Sequence, residues 1–188
     1  MLAKHHRHAI RAALPVSNPI CCRRRSIDIR PLATVPDAEV QALLDAAFGT
    51  DRRGRTAYAI RGAAQALAGL SFASIDAHGL AGSIQCFPVR LCHDDGAQTP
   101  LVMVGPVAIR ADLQGQGHGR ALMAATLGAA EAAGARALML IGDPEYYGRF
   151  GFTAERTAQW RAPGPVERHR LLALGDAVPD AAGMLGPI

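Results

Sequence analysis

Three glycines at alternate positions are the first feature of this sequence that could do chemistry. Gly115, Gly117 and Gly119 lie in the stretch ADLQGQGHGRALMAA, where the alanine-rich part predicts a helix directly after them. The first N–H groups of a helix lack internal partners, and the helix dipole adds partial positive charge there. Glycines let the backbone approach an anion with no Cβ in the way. The stretch predicts a phosphate-binding loop, with a plain structural turn as the alternative.

Two common nucleotide-binding patterns do not fit this loop. A Walker loop needs a lysine and a hydroxyl residue after its last glycine, and neither follows Gly119. The dinucleotide fingerprint G-x-G-x-x-G fails in both glycine frames, because no glycine occupies its last place. The pattern that fits is Q-x-x-G-x-G, formed by Gln114, Gly117 and Gly119.

With this pattern the chain resembles the GCN5-related N-acetyltransferases (GNAT), in which an [R/Q]-x-x-G-x-[G/A] loop cradles the pyrophosphate of acetyl-coenzyme A. The stretches GPVAIRADLQGQGHGRAL and GDPEYYGRFGF carry the resemblance, which is strongest to a bacterial subgroup of acetyltransferases. It implies acetyl-CoA as co-substrate, no metal, and the primary amine of a small molecule or peptide as acceptor.

The resemblance also implies which residues bind the co-substrate. The strand before the loop would pair through its backbone with the pantetheine arm, and the loop would contribute backbone N–H groups more than side chains. Arg120 is either a phosphate ligand or a solvated residue of the first helical turn. The expected set is Val107, Ala108, Ile109, Gln114, Gly115, Gln116, Gly117, His118, Gly119, Arg120 and Asp143.

The catalytic residue implied by the resemblance is Tyr147, which stands four residues before a Gly-Phe pair. Its phenol would protonate the departing thiolate, while the neighbouring Tyr146 is expected to pack. A backbone N–H near Val107 or Ile109 would stabilise the oxyanion. Asp143 precedes a proline and either holds the pantetheine or caps the following short helix, as an N-cap aspartate does.

The sequence does not identify a general base. The strand that bears a glutamate in several relatives contains no acid here. A water chain, or an amine of low pKa, would remove the need for one. The remaining candidates qualify by residue type alone: Asp51, Asp76, His78 and Asp112.

The acceptor side is expected to involve residues 49–70 and the C-terminal strands, as the resemblance implies. The stretch TDRRGRTAYAIRG is basic, which suits an acceptor with a carboxylate or phosphate or, equally, a solvated helix face. Trp160 either borders the acceptor cleft or anchors the edge of the sheet.

Hydrophobic patterning predicts an α+β fold. The expected elements are a strand SIDIRPLA, a helix DAEVQALLDAAFG, a hairpin of LSFASID with LAGSIQCFPVRLC, a strand LVMVGPVAI, the helix after the loop, a strand ALMLIGD, and closing strands FTAE and HRLLALGD. A helix crossover would link the fourth and fifth strands in parallel. The GNAT fold implies a mixed sheet of six to seven strands, helices on both faces, and a splay between strands 4 and 5.

A proline interrupts the fourth predicted strand. Pro106 cannot donate a hydrogen bond to a sheet ladder, so the strand is expected to be bulged or locally unpaired at Gly105 and Pro106. In the related fold, this interruption coincides with the splay.

Composition limits the remaining classes. Of the 188 residues, 1–25 contain six basic and no acidic residues, so the net charge of +4 divides into +6 there and −2 in the rest. No basic surface is therefore expected on the folded part, which argues against nucleic-acid binding, and no apolar run is long enough for a membrane span. We expect a basic extension at 1–25 that is disordered, a single acetyltransferase domain at 26–188, a cytoplasmic location, and a monomer or homodimer.

The predicted function is an acetyl-CoA-dependent N-acetyltransferase that works by direct attack in a ternary complex. A non-catalytic acyl-CoA-binding sensor or regulatory module is the alternative, because no base is evident. A different acyl donor, such as succinyl-CoA or a longer acyl-CoA, is a third possibility.

Overall fold

The computed structural model describes residues 27–188, and the extension predicted for residues 1–25 lies outside the described residues. None of the helices in 27–188 is both long and apolar enough to cross a membrane. The helices are α1 Asp37–Phe48, α2 Thr56–Arg61, α3 His118–Ala132 and α4 Pro144–Tyr147. The strands are β1 Asp28–Pro31, β2 Phe72–Asp76, β3 Gly79–His93, β4 Gln98–Ile109, β5 Leu138–Ile141, β6 Trp160–Arg161, β7 Leu171–Leu174 and β8 Gly183–Pro187.

The strands form one mixed sheet, which confirms the predicted α+β fold class. The main order is β1-β2-β3-β4-β5-β7, with β8 between the end of β3 and β6. The β4–β5 pair is parallel and α3 crosses between the two strands, as predicted. The predicted hairpin corresponds to β2 and β3.

Two details of the sheet differ from the sequence prediction. Over residues 27–188 the sheet has eight strands, two of which, β6 and β8, were not predicted. Strand β6 is only two residues long, and β8 reads GMLGP, so neither shows the alternation that identifies a strand. The predicted strand FTAE is wrong, because this stretch makes only an isolated bridge between Thr153 and Ala173.

Helices cover both faces of the sheet, as predicted. On one face, Leu122 and Met123 of α3 pack against β3, β4 and β5. On the other face, α1 packs through Leu44, and α2 packs through Ile60. Residues of β4 alternate between these faces, since Met103 belongs to the cluster on the α2 side and Val104 to the cluster on the α3 side.

The predicted interruption of β4 is a β-bulge. Val104 lies opposite Cys86 and Val107 lies opposite Ile84, so β4 has one more residue than β3 across the Gly105–Pro106 segment. An extra residue in a strand reverses which side chains face which layer. Val107 consequently contacts the α3 side, where an uninterrupted strand would have directed it to the opposite face.

Strands β4 and β5 separate immediately after they pair. The parallel register consists of Val102 with Leu138 and Met103 with Met139. Strand β4 continues to Ile109 and remains paired with β3, but no further β5 partner follows. The sheet therefore contains the predicted splay between its fourth and fifth strands.

Two substitutions in α3 test this packing. Leu122 is fully buried beneath the sheet, and Leu122→Ala should lower the free energy of unfolding by about 2–5 kcal/mol because it leaves a cavity. Gly128 lies on the exposed side of the same helix, with open space around the position of a Cβ, and Gly128→Ala should raise the free energy of unfolding by about 0.5–1 kcal/mol. Urea unfolding followed by circular dichroism measures both changes. Equal effects would contradict the assigned orientation of α3.

Candidate active site

The glycine loop forms one wall of a cavity of about 360 Å³, here called the loop cavity. Residues of β4, the loop, the first turn of α3 and the α4 segment surround it. Nine of the predicted co-substrate residues line it: Val107, Ala108, Ile109, Gln114, Gly115, Gly117, His118, Gly119 and Arg120.

The backbone of the loop requires its glycines. Gly115 and Gly117 have φ of +78° and +95°, a region that side chains with a Cβ rarely adopt. Gly117 is the N-cap of α3, so the unpaired N–H groups of the first helical turn begin directly after it. Gly119 has ordinary helical geometry, but a Cβ there would lie 2.8 Å from the Tyr146 hydroxyl. The loop is thus a concave backbone surface with N–H donors, suited to an anion.

Two loop side chains are engaged within the protein. The Gln116 amide nitrogen donates to the Asp112 carbonyl at 2.9 Å, and Gln116 is the predicted loop residue outside the cavity wall. His118 is buried, with Nδ1 at 3.2 Å from the Ser74 hydroxyl. Both observations support the expectation that these positions contribute backbone more than side chain.

A second cavity, here called the sheet cavity, has a volume of about 1130 Å³. It lies where β4 and β5 separate and is bordered by β4 residues 103–107, β5-end residues 141–143, helix α2 and the segment 165–170. The two cavities share four wall residues: Phe48, Val107, Tyr146 and Tyr147. An elongated ligand on the glycine loop could therefore follow β4 into the sheet cavity.

The free edge of β4 presents backbone donors to this space. The Arg110 N–H donates to the Ala81 carbonyl on β3. Because hydrogen bonding alternates along an antiparallel pair, Ala108 also faces β3, and Val107 and Ile109 direct their N–H groups to the opposite edge. These are the two residues predicted to stabilise an oxyanion.

Tyr147 is held in the wall that both cavities share. A Cβ at Gly142 would overlap its ring, so this glycine is what allows the ring to lie against the end of β5. The ring also makes edge contacts with Tyr146, with centroids 4.9 Å apart, and with Phe152, at 6.3 Å. Burial raises the pKa of the Tyr147 phenol to about 12, and the nearby positive charge of Arg170 offsets part of this rise. The phenol is therefore protonated throughout the neutral range.

Tyr146 lies on the side of the loop. Its hydroxyl is next to the Cα of Gly119, and its ring contacts Phe150 and the Arg149 guanidinium, whose carbon is 4.7 Å from the ring centroid. These contacts support the packing role expected for Tyr146.

Asp143 caps α4, as predicted for one of its two alternatives. Its carboxylate accepts the Glu145 N–H at 3.0 Å, with Pro144 in the first helical turn. Asp143 also lines the sheet cavity. Asp143 therefore lies at the site, with one carboxylate oxygen already bonded to the Glu145 N–H.

The acids named by type do not form the sheet cavity wall. Asp76 and Asp112 both pair with Arg110, at 2.6 and 2.7 Å, and these hydrogen bonds hold the pKa of each carboxyl below its usual range. Neither these two, nor Asp51, nor His78 lines either cavity. A carboxylate stabilised by an arginine is a weak base, so the structure gives no support to this set.

Sequence reasoning missed several residues of the sheet cavity. Glu167 and Arg170 line it from the segment before β7, where only a closing strand was predicted. The run ERHR, three charges in a loop rich in proline and glycine, was the available signal. The basic stretch at 49–70 does reach the cavity, through Arg52, Arg55 and Arg61.

Trp160 anchors the sheet and does not border the cleft. Its side chain is buried in the cluster on the α2 side, and β6 pairs with β8 through it. Within residues 27–188, no group of three or more histidine, cysteine or acidic side chains is arranged to bind a metal ion.

Comparisons with known proteins agree with this geometry. A family model described as an acetyltransferase (GNAT) domain matches residues 28–154. A GNAT family N-acetyltransferase, YhbS, from Escherichia coli in complex with CoA has a TM-score of 0.67 at 23% identity, with 96% of this chain and 94% of that chain covered. A GNAT family acetyltransferase from Brucella melitensis in complex with acetyl-CoA has a TM-score of 0.60 at 28% identity, with 84% and 92% covered.

No curated protein sequence matches the chain. The family match spans well over half of the chain and includes the glycine loop, β4 and the tyrosine pair. The Escherichia coli structure shares the overall fold of this chain. The chain therefore belongs to the GNAT family of N-acetyltransferases.

Proposed function

We propose that this N-acetyltransferase transfers the acetyl group of acetyl-CoA directly to a primary amine, with both substrates bound at once. One observation carries the proposal: the loop cavity and the sheet cavity adjoin at Val107 and Tyr147. The anion-binding backbone of the loop, the unpaired edge of β4 and a protonated phenol thus lie along one continuous path. The amine acceptor would enter from the sheet cavity.

The residues present fit acetyl-CoA as the co-substrate. A pyrophosphate needs several converging N–H donors and close backbone approach, which Gly117 and the first turn of α3 provide. The pantetheine arm contains amides, which need backbone partners, and Val107 and Ile109 direct unpaired N–H groups to that side. The acetyl-CoA complex of the Brucella melitensis relative supports the same co-substrate for this chain.

In the proposed reaction, the amine nitrogen attacks the thioester carbonyl and the C–S bond breaks. The carbonyl oxygen carries negative charge in the intermediate, and the N–H of Val107 or Ile109 stabilises it. The thiolate takes the proton of the Tyr147 hydroxyl, which solvent returns. The amine gives up its proton to the solvent-exposed sheet cavity, where Glu167 is a carboxylate with a large exposed fraction.

The raised pKa of Tyr147 is compatible with its role as the acid that protonates the thiolate. A phenol of pKa about 12 is a poor acid toward a thiolate in water, whose conjugate acid has a pKa near 8.5. Burial raises the pKa of thiols as well, and in this protein the buried Cys86 thiol reaches about 12. Partial removal of the departing thiolate from water changes its proton affinity in the same direction. The two proton affinities then approach each other, which favours transfer.

The first test is Tyr147→Phe, with Tyr146→Phe as the matched control. Loss of the acid should lower kcat by about 10²- to 10⁴-fold while the Kd of acetyl-CoA changes little, because the ring and its packing remain. Tyr146→Phe removes a hydroxyl that only packs and should change kcat less than fivefold. Thiol release with a panel of amines, and calorimetric titration of acetyl-CoA, give the two quantities. If Tyr146→Phe is the more damaged variant, the acid assignment is wrong; acetyl-CoA binding with no turnover of any amine would favour a sensor.

The second test concerns the loop. Gly117→Ala places a Cβ at a φ of +95° and should weaken acetyl-CoA binding at least tenfold, because the loop must change shape to relieve the strain. Gly128→Ala makes the same substitution at an open helical position of α3 and should leave the Kd unchanged. Calorimetry of both variants against the unmodified chain decides the question. Unchanged affinity in Gly117→Ala would remove the loop from the binding site.

The third test is the pH dependence of kcat. With a pKa of about 12, Tyr147 stays protonated above pH 10, where an ordinary tyrosine ionises. The rate should rise with pH as the acceptor amine loses its proton, then level off without a decline up to about pH 10.5. Circular dichroism at each pH controls for unfolding. A descending limb with its midpoint near 10 in folded protein would show that the acid has an unshifted pKa.

A further inference from the structure

Two of the four arginines that line the sheet cavity differ in how their donors are used: Arg52 serves the fold, and Arg61 is available to a ligand. Arg52 is 2% exposed, and its donors are used internally. Nε binds the Asp45 carboxylate at 2.7 Å, one terminal nitrogen binds the Gln41 amide oxygen at 2.6 Å, and the other binds the Tyr58 hydroxyl. Arg52 therefore links α1 to α2 and fixes the Tyr58 side chain.

Arg61 lies at the end of α2 and stacks on the ring of Tyr58. Its guanidinium carbon is 3.8 Å from the centroid of the Tyr58 ring and 4.0 Å from that of Phe87 on β3. Stacking of this kind occupies the faces of a guanidinium. The Tyr58 hydroxyl is a hydrogen-bond partner of Arg61, and the other N–H donors in the plane of the guanidinium are left for a ligand. Two aromatic contacts thus hold the position of the Arg61 head group within the cavity wall.

In the part of the chain that the structure describes, the charge of Arg61 has no acidic partner. Among residues 27–188, six arginine–carboxylate ion pairs occur, and none of them involves Arg61. The group is half-buried, and burial lowers the pKa of Arg61 because the charged form is partly removed from water. A guanidinium nevertheless stays charged in proteins. An anion at its N–H edge would compensate for the lost hydration.

The other charges of the cavity wall favour an acceptor with charges of both signs. Arg55 donates to the Phe48 carbonyl at 2.7 Å, and Arg170 lies close enough to Tyr147 for its positive charge to oppose the rise in the pKa of that phenol. Glu167 supplies a carboxylate in the same wall, which suits the ammonium form of an arriving amine. Planar, fixed guanidinium groups recognise carboxylates and phosphates through paired hydrogen bonds.

We propose that the sheet cavity selects a primary amine that also bears a carboxylate or a phosphate, and that Arg61 binds this anionic group. The inference rests on the proposed function, because it names the acceptor class of the same site. Arg61 is a specificity-determining residue in this assignment, and Arg52 and Tyr58 position it.

The test compares acceptors that differ only in the anionic group: phosphoethanolamine with ethanolamine, and β-alanine with β-alaninamide. The anionic member of each pair should have a kcat/KM at least tenfold higher. A nearby anion raises the pKa of an amine and leaves less of it unprotonated, so this effect works against the expected preference. Arg61→Gln should reduce the preference to about one through KM, with the neutral members within twofold, and Arg61→Lys should retain part of it.

Arg53→Gln is the matched control. Arg53 is exposed on the same segment and lies outside the cavity wall, so its loss changes net charge equally and should leave the preference intact. A preference that survives in Arg61→Gln, or that falls as much in Arg53→Gln, overturns the inference. So does a preference for the neutral members.

A binding measurement separates this inference from the proposed function. Calorimetric titration of phosphoethanolamine, with CoA present, reports on the Arg61 site even if none of these amines is acetylated. We expect Kd to rise about 10- to 100-fold in Arg61→Gln and to stay unchanged in Arg53→Gln. Equal affinity in all three chains overturns the anion site. Failure of the unmodified chain to bind acetyl-CoA overturns the proposed function instead.

Discussion

One extra residue in β4 sets the geometry of the site. The bulge at Gly105 and Pro106 shifts the strand by one position relative to β3, and Val107 and Ile109 turn toward the α3 side as a result. Beyond this point β4 keeps its β3 partner, but no other strand of residues 27–188 pairs with its second edge. The cavity, the free backbone donors and the approach to the glycine loop all follow from a strand that is paired on one side only. In a sheet whose backbone groups are otherwise satisfied, such an edge is a position for a ligand.

The two tyrosines at this edge owe their positions to two glycines. Gly142 leaves room for the Tyr147 ring at the end of β5, and Gly119 leaves room for the Tyr146 hydroxyl at the start of α3. Gly142 therefore positions the tyrosine proposed as the acid, and Gly119 positions the tyrosine that packs against the glycine loop. A comparable division exists among the arginines. Arg52 makes the contacts that join α1 and α2 and hold Tyr58 in place. Arg61, at the end of α2, stacks on the Tyr58 ring and forms no ion pair within residues 27–188.

Many elements of the fold could be predicted from local sequence, and the others depend on contacts between residues far apart in the chain. The helix 37–49, the β2–β3 hairpin and the interrupted β4 could be predicted because periodicity, turn residues and a proline act over a few residues. Strands β6 and β8 could not, since β8 becomes a strand only by pairing with β3, and β6 only by pairing with β8. For the same reason, the loop residues could be predicted, because they form one continuous stretch, whereas Glu167 and Arg170 could not. Those two reach the cavity from a segment whose position is set by the sheet, and no local pattern encodes that.

The unpaired edge of β4 also makes the folded state incomplete without its ligand. Water must satisfy the N–H groups of Val107 and Ile109 when the cleft is empty, whereas a bound amide chain would satisfy them as an additional strand does. A ligand that binds only the folded chain raises its stability by about 2.7 kcal/mol at a concentration of 100 Kd. Bound acyl-CoA would then protect the folded enzyme against unfolding and proteolysis.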